Sequence, residues 1–551
     1  MRMAPSDQDE IAGQGKRRLH EVILGGGWRS ISAHRALSTA RDVAADHGCA
    51  RCVRMRVLTI VVAALSLGLI LLSILRLEAG RAGIEARAIA VGETPATLHT
   101  RLGADGPVVV IAHGFAGSRQ LMEPFALTLA RNGYRTVSFD FMGHGRNPQP
   151  MTGDVTKIEG TTLALVEETR RVIDAALEET GAADVALLGH SMASDIIVRT
   201  ARVDPRVTSV IAVSMFSEAV TAVEPPNLLM ITGAWERFLR ERAIETLRMN
   251  VPAPEEGVTY GDHTDGSARR AVASPSVEHV GVLYAAASLR AARDWLNATH
   301  DRQGVEPPVL WGAWIALGQL GLVLLCWPIA RVLPRLADPA PPLPARTFWL
   351  ALLLPPVLTP LILAPVRIDW LPVLVADYLA LHFLLYGGLT MALLWMAGRG
   401  RRIGARTGGA VLLACGVAGY GIFAIGGFLD SYVSSFWPHP GRATVILAIA
   451  IGAVPFLIGD EWLTRGATGR RWAFILSKVT FLASLAAAIA LNLEDLFFLI
   501  IIAPVILLFF VLFGTLSGWI TRATGHPLPA ALGNGFVLAW ALGVTFPIVA
   551  S

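Results

Sequence analysis

Three side chains of this chain are of the types that together activate a hydroxyl: Ser191, Glu236 and His279. Ser191 ends the apolar run Val185-Ala186-Leu187-Leu188-Gly189-His190, and a segment with helical spacing begins at once with Met192. The run is short and apolar throughout, as a strand covered on both faces would be. A sharp strand-to-helix turn would lift the Ser191 hydroxyl clear of the backbone at the positive end of the following helix. The small residues Gly189 and Ala193, two positions to either side, let such a turn close. A serine at this place also reads as an ordinary helix N-cap, so its partners must decide.

A serine nucleophile needs a base to take its proton and an acid to orient the base. Glu236 follows the apolar run NLLMITG by three residues, and His279 lies just beyond RAVASPS. Both therefore fall past strand ends. Glu218, after VTSVIAVSM, is the rival acid. Asp262 and Asp265 sit in the turn GDHTDG and read as turn formers, together with His263. His113 and His144 read as loop-shaping residues, and His190 as a packing and backbone position.

These candidates need a scaffold. From Pro107 the chain alternates: strand PVVVIAHG, helix SRQLMEPFALTLARNG, strand TVSFDF, loop MGHGRN, helix TTLALVEETRRVIDAALEETG, then the Ser191 strand. Further strands VTSVIAVSM, NLLMITG and RAVASPS follow, with helices between and after them. Such alternation implies a mostly parallel, doubly covered α/β sheet with its chemistry at the carboxyl ends of the strands. The order Ser191, Glu236, His279, with His113-Gly114-Phe115, Asp140-Phe-Met-Gly-His-Gly145 and Gly189-His-Ser-Met-Ala193, resembles the α/β-hydrolase superfamily over roughly 105–298. The likeness is nearest to its lipase, esterase and serine-aminopeptidase-like branch. It implies Ser191 as nucleophile, His279 as general base and Glu236 as the acid that fixes the imidazole tautomer. It also implies an oxyanion hole from the backbone N–H groups of Phe115 and Met192. Two departures from the pattern are Ala193 in place of glycine and glutamate in place of aspartate. The segment between Met215 and Asn227 is too short for the helical cap found in many relatives, so the mouth is open or covered by something else.

Less than half of the chain is accounted for by that domain. The whole is 53% hydrophobic and only 16% charged, too apolar for a soluble protein of 551 residues. Residues 57–76 are expected to form a transmembrane anchor between flanking arginines, following a basic cytoplasmic segment, 1–56, that is open to disorder. Met55 directly precedes the anchor, which raises the expectation that translation starts there. Residues 77–308 are expected to form the hydrolase domain, and 309–551 a membrane domain of about eight helices: roughly 310–330, 347–366, 370–397, 407–429, 443–462, 472–492, 496–519 and 530–550. Arginine-rich connections near 331–346, 399–406, 465–471 and 522 alternate with cation-poor ones, which puts the N-terminus inside and the hydrolase domain on the exoplasmic or periplasmic face of the cell (inner) membrane. Within the spans, Asp377 and Lys478 are expected too far apart to pair, with Lys478 snorkelling to the cytoplasmic interface. His382 is expected to serve bundle packing rather than a proton relay.

The expected activity is cleavage of an ester, thioester or lipid acyl bond through an acyl-enzyme. Amide cleavage by a serine peptidase is the alternative within the fold. A non-catalytic receptor or transport-linked protein is the alternative outside it. No metal or organic cofactor is implied: the four cysteines include one Cys49-x-x-Cys52 pair, but no second pair lies nearby. No aromatic-interleaved basic stripe points to nucleic acid. The expected partners are the membrane and a lipid or acylated small molecule; oligomeric state is not legible.

Overall fold

In the computed structural model the described residues are 27–153, 157–338, 343–366, 368, 370–398, 407–465 and 471–550, with the side chains of 27–52 (Cys49 and Cys52 among them), 407 and 471 outside the description. Residues 1–26 of the basic segment and the arginine-bearing stretches 399–406 and 466–470 also lie outside it. The chain divides into two compact units, Met1–Ala64 and Leu65–Ser551.

Helix α1 spans Gly27–Arg81, and its apolar part, Val53–Arg81, contains the expected anchor. Eight strands follow: β1 (Ile84–Ile89), β2 (Ala96–Arg101), β3 (Val108–Ala112), β4 (Arg135–Phe139), β5 (Val185–His190), β6 (Val207–Val213), β7 (Leu228–Gly233) and β8 (Arg269–Ser274). They form one sheet in the order β1-β2-β4-β3-β5-β6-β7-β8. β2 runs antiparallel to β1 and β4, and every pairing from β4 to β8 is parallel. The helices are α2 (Glu123–Arg131), α3 (Leu163–Thr180), α4 (Met192–Val203), α5 (Arg237–Leu247) and α6 (Ala286–Thr299).

Alternation along the strands divides the core. Val108, Val110 and Ala112 face the layer built by α3 and α4, while Val109 and Ile111 face α2 and α6. Because both faces are covered, the central strands β3, β5 and β7 are buried at every position and mostly apolar. β1 and β2 were not anticipated from the sequence. They form an antiparallel ribbon whose polar residues (Glu85, Arg87, Thr97, His99) blur the apolar pattern.

Beyond Trp311 the fold is helical. Among the described residues, nine helices, α1 included, are long and apolar enough to cross a membrane. After α1 they are Gly312–Arg331, Ala345–Leu363, Ala376–Met396, Gly408–Tyr432, Pro440–Thr464, Trp472–Leu491, Leu499–Thr524 and Leu528–Thr545. Their shared core packs the rings of Phe383, Phe456, Phe481 and Phe510 together, with Phe383 stacked on Phe481. A Cβ on Gly452 would lie 2.1 Å from the Ala380 carbonyl oxygen, so the fourth and sixth helices can approach only because this residue is glycine.

Three sequence expectations need correction. Lys478 does not snorkel: it is buried and donates to Asp460 of the neighbouring helix, as does Ser477. The sequence shows how deep a charge sits but not which helix stands beside it. Asp377 lies in the first turn of its helix, where it accepts the Leu371 N–H at 3.0 Å, because the expected span at 370–397 begins as a loop. The last helix ends at Thr545, and the tail leaves it, pairing Ile548 with Val373 and Val549 with Met151.

Candidate active site

The turn after β5 is tight because Gly189 permits it: a Cβ there would lie 2.9 Å from the Ala193 carbonyl oxygen and 3.0 Å from Ile197 Cδ1. Ser191 takes φ 55° and ψ −117°, a conformation disfavoured for a side-chain-bearing residue. Its N–H is held by the Val213 carbonyl at 2.8 Å, and its own carbonyl accepts the Ser194 N–H at 2.8 Å. The hydroxyl is thereby fixed on a half-buried corner. It caps nothing, which removes the N-cap reading.

Three loops converge on that corner. Ser191 Oγ–H donates to His279 Nε2 at 2.8 Å, and His279 Nδ1–H donates to Glu236 Oε1 at 2.5 Å. The imidazole side chain is 44% exposed, whereas the carboxylate is 5% exposed, so the pair is open on the Ser191 side and sealed on the other. The second carboxylate oxygen, Oε2, accepts the Gly233 N–H at 2.6 Å and Ser214 Oγ–H at 2.8 Å. Burial of Glu236 favours its neutral form, but the hydrogen bonds from His279, Gly233 and Ser214 outweigh it and hold its carboxyl below the ordinary glutamate value. Glu218 is exposed and takes no part in this arrangement.

Two positioning residues were underread in the sequence. Ser214 orients Glu236 from the end of β6. His190 Nε2–H donates to the His279 carbonyl at 2.9 Å and pins the loop that carries the base. Burial holds His190 neutral, lowering its pKa to about 3. The adjacency of His190 to Ser191 was the one available signal; Ser214 had none, since its value lies in where β6 ends. His113 shapes a loop as expected: its Nδ1–H donates to the Gly114 carbonyl at 2.8 Å and its Nε2 accepts the Phe141 N–H at 3.1 Å. Asp262 and Asp265 close their turn through Thr264 and Ser267.

Phe115 and Met192 are half-buried beside the serine. Among the described residues, neither N–H is engaged by a turn or loop hydrogen bond. Gly114 brings the Phe115 loop against the elbow, for a Cβ on it would lie 3.0 Å from Ser191 Cβ.

The mouth is partly roofed by the helical region. Phe498, in the connection ahead of Leu499–Thr524, stacks on Phe115 at 5.0 Å. Arg442 Nη2 and the Ile548 N–H both donate to the Gly143 carbonyl, at 2.9 Å each. Arg146 pairs with Asp430 at 2.5 Å, and Ser118 bonds Ser434 at 3.2 Å and the Ser435 N–H at 3.1 Å. No helical cap interrupts the chain between β6 and β7. The rest of the rim exposes Phe216, Trp235, Phe238 and Val280.

Sheet order, elbow and converging loops define an α/β-hydrolase-fold domain joined to a bundle of apolar helices. Comparison with known proteins agrees: residues 107–245 match the α/β hydrolase fold family. A non-heme chloroperoxidase of Streptomyces lividans is 26% identical over 215 residues, covering 37% of this chain and 72% of that protein. Among solved structures, epoxide hydrolase I of potato (Solanum tuberosum) is similar at 24% identity and TM-score 0.21, over 24% of this chain and 41% of that one. An epoxide hydrolase from an endophytic Streptomyces is similar at 25% identity and TM-score 0.20, over 26% of this chain and 39% of that one. The chain thus spans about two fifths of the length of these solved relatives.

Proposed function

We propose that the protein is a membrane-bound serine hydrolase that cleaves an ester, thioester or lipid acyl bond through an acyl-enzyme. The observation that carries this reading is the continuous relay from Ser191 Oγ through His279 to Glu236, with distances of 2.8 and 2.5 Å. In this mechanism His279 Nε2 takes the Ser191 proton as Oγ attacks the substrate carbonyl. The developing oxyanion is held by the N–H groups of Phe115 and Met192. His279 then gives its proton to the leaving group, and the acyl-enzyme forms. A water deprotonated by His279 releases the acid and restores Ser191–OH. Glu236 stays ionised throughout and keeps Nδ1 protonated.

The arginine-rich connections favour a cytoplasmic N-terminus, with the hydrolase domain on the outer face of the cell membrane. The uncapped mouth and its apolar rim suit a substrate drawn from the bilayer surface. The test is labelling of intact membranes with a fluorophosphonate probe. Wild type should label and Ser191→Ala should not; equal labelling of the two would remove the assignment.

A further inference from the structure

The connections on the hydrolase side of the bundle line a half-open cavity of about 710 Å³. Its walls come from the loop and helix start around Trp370, Val373, Tyr378 and Leu381, from Leu496, and from the tail residue Val549. That volume lies within the ~300–1,000 Å³ typical of small-molecule sites. Among the described residues, the charged groups at its edge are already committed. Asp377 accepts the Leu371 N–H at 3.0 Å, and Asp495 accepts from Asn492 Nδ2 at 2.8 Å. The rest of the described lining is made mainly by apolar residues such as Leu363, Val373, Leu381 and Leu496, and the two carboxylates repel an anionic end group. The chemistry favours a neutral hydrocarbon chain.

Two features give the cavity a direction. Below it, the helices Ala345–Leu363 and Trp472–Leu491 leave an apolar groove of about 760 Å³, lined among others by Leu353, Val357, Leu361, Ala483, Ala487 and Leu491. Leu353, Val357, Leu361 and Leu491 are exposed on the bundle surface. The lining of the groove reaches Leu361 and Leu491, and that of the cavity takes in Leu363 and Asn492, so both lie at the ends of the same two helices. Above it, the segment that contributes Leu496 continues to Phe498, which stacks on Phe115. The tail that contributes Val549 pairs with Met151, beside the Gly143 loop. Groove, cavity and the Phe115 loop are therefore linked through residues that adjoin along the chain.

We propose that the acyl chain of a bilayer lipid enters through this groove, lodges in the cavity, and presents its carbonyl to Ser191 from the membrane side. The proposal rests on the reading of Ser191 as nucleophile. It assigns to the helical region the acyl-binding function that the missing cap leaves unfilled.

The test uses the full chain in native membranes and a hexadecyl fluorophosphonate carrying a terminal diazirine. After the probe has reacted with the serine, irradiation and peptide mapping show where the chain end lies. Crosslinks within 363–381, 492–496 or 549–550 are expected. Crosslinks confined to the Trp235 and Phe238 rim would overturn the route while leaving the nucleophile intact. Absence of any label on Ser191 would overturn both readings, and an ethyl fluorophosphonate run in parallel separates the cases. As a second measurement, Leu381→Trp should narrow the cavity and lower the hexadecyl-to-ethyl labelling ratio by about tenfold or more. An unchanged ratio would contradict the proposal, and the crosslink map on wild type does not depend on how this variant folds.

Discussion

At Glu236 the two carboxylate oxygens divide the work between them. Oε1 faces His279, and Oε2 is tied to Gly233 and Ser214. Glu236→Gln preserves the shape but offers an amide where a charge was, and the imidazole loses its fixed tautomer. By the logic of acid–base triads, kcat should fall on the order of 10⁴-fold with the fold intact. Ser214→Ala removes only one neutral donor from a carboxylate that keeps two others. A net hydrogen bond to a charged group of ~1.5–3 kcal/mol corresponds to a loss of roughly ten- to 150-fold. Steady-state rates on one chromogenic ester would check both; a Ser214→Ala loss as deep as that of Glu236→Gln would mean that Ser214 does more than orient. Such differences also mark how far the sequence could be read. Ser191, His279 and Glu236 were legible because strand ends and chain order place them. Ser214 and Phe498 were not, because one depends on where a neighbouring strand stops and the other lies more than 300 residues from the loop it touches.

At the scale of elements, apolar patterning showed what was buried and missed what was half-buried. Strands β3 to β8 were visible as largely apolar runs, while the β1–β2 ribbon carries a mixed pattern and was not. Span number was readable from length and hydropathy, whereas helix adjacency was not, and the Lys478–Asp460 pair is the consequence. The pair predicts a particular thermodynamic asymmetry. Lys478→Met alone strands a buried carboxylate and should cost about 3–5 kcal/mol, whereas Lys478→Met with Asp460→Leu removes both charges and should recover most of that loss. Thermal unfolding of the two variants in detergent measures the difference. Equal destabilisation of single and double variants would show that the pair itself, and not its unpaired remnant, sets the energy. A similar local argument holds at the elbow. Gly189→Val would press its side chain on the Ala193 carbonyl and Ile197, and overpacking of this kind costs ~1–3 kcal/mol. Its activity loss should exceed its stability loss, because the displaced group carries Ser191.

Taken whole, the molecule builds its hydrolase domain around buried neutral histidines, and this sets how it should respond to acid. His99, His113, His144 and His190 are all buried in that domain. Burial lowers each below the ordinary histidine value, His99 to about 4 and His190 to about 3. Once the chain unfolds, the same side chains are free to take a proton below pH ~6.5. Between that pH and their folded values the unfolded state binds more protons, so stability falls as pH falls. The contribution is fully present above pH ~6.5 and is lost progressively toward pH 4 for His99 and pH 3 for His190. Each histidine adds a slope of ~1.4 kcal/mol per pH unit within its window. His99 allows the cleanest test. It lies on β2, away from the relay, and among the described residues its Nδ1 has no hydrogen-bond partner. His99→Leu therefore removes a titrating group without taking a bond from that atom. Unfolding free energy of the full chain, measured from pH 7 to pH 4.5, should lose one histidine's share of its slope in this variant. If the slopes of variant and wild type coincide, protonation of His99 is not coupled to unfolding, and the acid response must come from other groups.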